Sequence, residues 1–175
     1  MSRSLRTLFA AVIVTVVLAG CGSGSSSTPL GDTKAPAQLL RNEVASRIPA
    51  DVVEKLADSE DASEGCSTDG SKRSWRSSQL MYVLPDKAGR VLTILDGVTA
   101  SLSEQGWGGE TSQPSSKIHD VKLTSTKIES VIRIRVVEAS DDAGNGATIE
   151  LSVNGPCVQT DGADSDEVKR LEGRD

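Results

Sequence analysis

The chain has 175 residues, a net charge of −6 and aromatic side chains at only 2% of its positions. That acidic balance excludes the basic footprint needed for nucleic acid or for broad adhesion to anionic lipid. The shortage of aromatics excludes a sugar-stacking platform and leaves Val, Ile and Leu to build the core of what is long enough to be one domain.

The chain opens with Arg3 and Arg6, an apolar run from Leu8 to Ala19, and Leu18-Ala19-Gly20-Cys21. This is signal-peptide grammar. The apolar run is about 12 residues, short of the ~20 that a membrane-spanning helix needs, and no Arg-Arg pair suggests twin-arginine export. The Leu18–Cys21 tetrapeptide resembles a bacterial lipobox, a likeness confined to residues 1–21. It implies removal of residues 1–20 and a diacylglyceryl thioether on Cys21 (a palmitate-bearing anchor). Two acyl chains hold where one is marginal. Loss of the leader removes two arginines and no acid, so the mature chain is two charges more negative than the whole.

Residues 22–34, rich in Ser and Gly, read as a flexible tether with an r.m.s. reach of about 20 Å. Lipobox, tether and one acidic domain together resemble small lipoproteins of high-GC Gram-positive (actinobacterial) organisms. The resemblance implies the outer, extracytoplasmic face of the cell membrane and no particular activity. In a Gram-negative host, Gly22 would permit sorting to the outer membrane.

Residues 35–57 carry helical spacing through Leu40, Val44 and Ile48, are interrupted by Pro49, and restart as helix over 51–57 with Val52, Val53 and Leu56 inward. The acidic stretch 58–73 reads as a loop carrying Cys66. Residues 74–84 read as a strand ended by Pro85. Asp86 is the expected cap of a helix whose apolar stripe is Val91, Leu95, Val98 and Leu102, with Gly106 at its C-terminal end. After Trp107 the period becomes alternating. Strands are expected at 107–112, 118–125, 128–138 and 147–154, with turns at 113–116 and 141–146. The tail offers a helix over 165–172, with Asp164 and Glu167 at capping-box spacing.

With Cys21 assigned to lipid, Cys66 and Cys157 remain, and an oxidising envelope favours their pairing. A metal pair or a catalytic thiol has neither CxxC spacing nor several histidines behind it.

The sequence carries few signatures of catalytic or metal chemistry. His119, the only histidine, shares strand parity with Val121 and Leu123 and reads as a strand-end residue. Its neighbours Asp120, Ser115 and Ser116 do not make a triad, because successive strand residues point to opposite faces. GxSxG, HExxH, Ser-x-x-Lys and a dinucleotide loop are absent from the sequence. Asp141–Ser152 imitates a calcium loop at Asp141, Asn145 and Gly146 but lacks ligands at Ala143 and Ser152. The acidic tail (Asp161, Asp164, Asp166, Glu167) reads as a solvated loop and cap. Trp75 and Trp107 read as core or rim. Lys122, Arg133 and Arg135 share one polar strand parity, a candidate anion-binding sheet face. The competing reading is cross-strand pairing with Glu150.

These patterns predict an α+β two-layer sandwich: a mainly antiparallel sheet of 4–5 strands with two helices packed on one face. The expected division is signal peptide 1–20, lipidated Cys21 and tether 21–34, and one domain 35–175. The expected function is a membrane-anchored, non-catalytic envelope module that binds or assists a protein partner, with no cofactor, no metal and no nucleic acid. The alternative is a carrier of a lipid or small amphiphile between helices and sheet, with an enzyme of unfamiliar type behind both.

Overall fold

The computed structural model describes residues 29–139 and 146–174. The leader, the proposed lipidation site Cys21, tether residues up to 28 and most of the turn expected at 141–146 lie outside the described residues. Within them the order is α1 (Leu30–Ala45), β1 (Val53–Leu56), β2 (Glu60–Gly65), β3 (Lys72–Val83), α2 (Val91–Glu104), β4 (Gly108–Ser115), β5 (Ile118–Ser125), β6 (Ser130–Val137), β7 (Thr148–Asn154), β8 (Val158–Gln159) and α3 (Asp166–Glu172). Short 3-10 turns precede β1 and α2.

The α+β class and the antiparallel sheet hold. The sheet is larger than expected, with eight strands among the described residues, and α3 lies where the tail helix was expected, beyond the two helices expected to cover the sheet. The strand order is β1-β3-β7-β6-β5-β4. β2 runs beside the first half of β3, where β1 runs beside its end, and β8 pairs with the first residues of β3. Strand alternation explains the two faces. Met81 and Val83, Val121 and Leu123, Ile132, Ile134 and Val136, and Ile149, Leu151 and Val153 all face the helices and are buried. Val91, Ile94, Leu95, Val98 and Leu102 of α2 cover them from one side, and Gly106 takes the left-handed conformation (φ 90°) that ends the helix.

Several sequence expectations need correction. α1 begins at Leu30, not 35, so the domain reaches into the expected tether. Leu30 and Thr33 are buried, and the Thr33 hydroxyl donates to the Leu30 carbonyl at 2.7 Å. Residues 53–56 are strand rather than restarted helix, because Val53 and Leu56 find partners in Val83 and Met81 of β3. The expected loop 58–73 contains β2. Apolar alternation is missing there because polar contacts hold the strand. Asp61 accepts from Gln38 of α1, the Ser63 hydroxyl and amide both donate to Glu172 of α3, and Glu64 accepts from Asn154 of β7. The Asp86 carboxylate pairs with Lys87 instead of capping α2, and the cap of α3 is Ser165, whose hydroxyl accepts from the Val168 amide. β4 extends through Pro114 to Ser115, with a register shift between Ser112 and Ser115. An edge strand tolerates proline there because its outward amide has no ladder partner to lose.

Cys66 and Cys157 form a disulfide, with Cα atoms 6.1 Å apart. It joins the β2–β3 turn to the segment between β7 and β8. The turn is organised by the Asp69 carboxylate, which accepts from the hydroxyls of Ser67 and Ser71 and the amide of Ser71. Those hydrogen bonds, led by Ser67, hold its pKa at about 2.

Candidate functional site

The polar face of the sheet has no helix on it, and its side chains fall into cross-strand rows set by register. One row runs Glu110, Lys122, Arg133, Ser152, Ser78 from β4 to β3. The next runs Ser112, Asp120, Arg135, Glu150, Leu80. On the other side lies Gly108, Thr124, Val131, Asn154, Arg76. Glu64 of β2 and Glu110 of β4, from opposite ends of the strand order, line the same hollow of about 480 Å³. The sheet therefore curls around this face, as accumulated right-handed twist provides.

Four bases (Arg76, Lys122, Arg133, Arg135) and four acids (Glu64, Glu110, Asp120, Glu150) line the hollow. They are not paired evenly. Arg135 forks onto Asp120, donating at 2.7 and 3.0 Å, and faces Glu150 on its other side. The Arg135 fork holds the Asp120 carboxyl below the usual carboxylate range, and Asp120 raises the Arg135 guanidinium in turn. Glu64 accepts from the Asn154 amide at 2.7 Å. Lys122 and Arg133, by contrast, stand directly opposite each other, like charge against like charge. Among the described residues, neither they nor Arg76 have a carboxylate within ion-pair distance.

The structure thus gathers Lys122, Arg133 and Arg135 on one face, as their parity suggested, and separates their roles. Arg135 is ion-paired with Asp120 and stands opposite Glu150, so the expected cross-strand neighbour Glu150 bears on Arg135 and not on Lys122 or Arg133. Arg76 and Ser152 join the hollow and were missed. Their parity within β3 and β7 was visible, but which strands lie beside β6 was not.

The remaining candidates have structural partners. His119 lies on the helix-face parity, its Nε2 2.7 Å from Oε1 of Glu138, while Asp120 points the other way to Arg135. No triad forms with Ser115 or Ser116. Trp75 is fully buried beneath α1, with the Lys34 ammonium 4.5 Å from its ring centroid, and Trp107 is buried at the start of β4. Beneath α1, Arg41 donates to the Ser78 carbonyl and lies 3.9 Å from Asp61. Of the acidic tail, Glu167 accepts from the Gly31 amide, tying α3 to α1. No group of three or more His, Cys, Asp or Glu side chains that could hold a metal occurs among the described residues. None of the described helices is long and apolar enough to cross a membrane. Between the two longer helices and the sheet, a void of about 10 Å³ is bordered by Val44, Ile48, Ile94, Val98, Ile149 and their neighbours. That is at most the space of one water.

Comparison with known proteins adds no relative: no protein-family model, no curated protein and no solved structure matches the chain.

Proposed function

We propose that this chain is an extracytoplasmic binding module, anchored to the outer face of the cell membrane through lipidated Cys21, and that a protein partner docks on its curved polar sheet face. The observation that carries the reading is the hollow. It is a concavity of ligand scale, and it is lined by charged side chains from six strands. A disulfide between two exposed cysteines supports an oxidising compartment. The side chains in the hollow supply charge and hydrogen bonds at a curved face, which supports binding. The tight helix–sheet interface supports docking over carriage of an amphiphile, since an acyl chain would have to force α1 and α2 off the sheet.

A photo-crosslinking side chain placed at Ser112, on the rim of the hollow, or at Leu39, exposed on α1, separates the two surfaces in cells making the full chain. The expected result is a discrete protein adduct from position 112 and none from 39. Adducts of equal yield from both, or none from 112, refute the reading.

A further inference from the structure

The row that contains Lys122 and Arg133 is electrostatically unfinished. Two cations stand directly opposite each other, a placement that destabilises a sheet by itself. Of the acids lining the hollow, Asp120 accepts the Arg135 fork, Glu64 accepts from Asn154, Glu150 stands opposite Arg135, and Glu110, opposite Lys122 on the edge strand, makes no ion pair with it among the described residues. Arg76 brings a third cation into the same hollow from β3, and the Ser152 hydroxyl stands next to Arg133 on β7.

We propose that Lys122, Arg133, Arg76 and Ser152 form an oxyanion subsite that takes a single phosphate-type group. The proposal rests on the reading of this face as the binding surface and names what its centre recognises. Three cations and a hydroxyl drawn from four strands suit a tetrahedral oxyanion that accepts from several sides, whereas one arginine fork already satisfies a carboxylate. Glu110 and Glu64 stand on opposite sides of the hollow and repel a long polyanion. The group must therefore arrive alone, on a small or neutral carrier. A free phosphate monoester and the phosphodiester of a lipid headgroup share this chemistry.

The test uses the full chain in detergent, with ionic strength held constant by chloride. It is titrated separately with inorganic phosphate, glycerol 1-phosphate, glycerophosphoglycerol and acetate, and the backbone amide signals of residues 122, 133 and 152 are followed. At least one phosphorus probe is expected to saturate those shifts and raise the melting temperature, and acetate is expected to do neither. Tightest binding of glycerophosphoglycerol assigns the source to a lipid headgroup, and tightest binding of a monoester or of phosphate itself assigns it to a free phosphate. Lys122→Gln and Arg133→Gln should each weaken binding roughly tenfold or more, the scale of one charge-assisted hydrogen bond. Lys87→Gln, at a residue paired with Asp86 outside the hollow, should not change it. Both Gln variants relieve the like-charge contact, so unliganded melting at or above that of the parent shows that they fold. No saturable response to any phosphorus probe, acetate binding as tight as phosphate, or full affinity in Arg133→Gln overturns the subsite. Crosslinks from position 112 without phosphate binding overturn the subsite alone. Phosphate binding without crosslinks overturns the protein-partner reading alone.

Discussion

Replacing both Cys66 and Cys157 by Ser isolates the work of the disulfide. Both cysteines are exposed, so the serines leave neither a cavity nor a buried hydroxyl, and the folded state keeps its contacts. The effect falls on the unfolded chain, which regains the freedom of a loop spanning a sequence separation of 91. In the chain-entropy treatment that loop is worth about 4.6 kcal/mol at 25 °C. A domain of this size has about 5–15 kcal/mol in total, so the variant should keep its fold with much of its margin gone. Urea unfolding of the parent and the double variant measures this directly. The midpoint should fall, and the denaturant slope should rise, because the uncrosslinked unfolded chain exposes more surface. A loss below about 1 kcal/mol, or a large loss with unchanged slope, refutes the assignment of the stabilisation to the unfolded state.

Gly109 sits opposite Leu123, and a Cβ at position 109 would come within 2.4 Å of Leu123 Cδ2, on a side chain that is fully buried. Gly109→Ala should therefore cost about 1–3 kcal/mol by overpacking, read as a drop in thermal midpoint; an unchanged midpoint would show that Leu123 has room to turn. The acid limb of stability should depend on Asp120 and Glu172. For Glu172, burial alone would raise the pKa, but hydrogen bonds from Ser63 and the Arg174 charge outweigh it and lower the pKa. Asp120 is lowered by Arg135. With folded values below the unfolded ones, their stabilisation is complete above the ordinary carboxylate range and is lost as pH falls through the folded values. Asp120→Asn and Glu172→Gln should each flatten the decline in melting temperature on acidification, and a parallel decline in variant and parent would refute the linkage.

The strongly patterned elements were legible in the sequence. Alternation through Ile132, Ile134 and Val136, and through Ile149, Leu151 and Val153, specifies strands with one buried face, and Val91, Leu95, Val98 and Leu102 specify α2. Period alone decides these, because each buries an apolar face. α1 was blurred because its inward stripe includes Thr33 and Arg41, polar groups made tolerable by the Leu30 and Ser78 carbonyls. β2 was hidden for the same reason. Its ties run to Gln38, Glu172 and Asn154, which are 23, 109 and 90 positions away.

By itself, then, the sequence determined the α+β class, the two faces of the main strands and the shared parity of Lys122, Arg133 and Arg135, since these follow from local periodicity. The tertiary structure decided the strand order, and with it the chemistry of the polar face. By placing β5 and β7 on either side of β6, it gave Arg135 two carboxylates and Arg133 a lysine and a serine. Parity fixes which way a side chain points, but only the pairing of distant strands fixes what it meets.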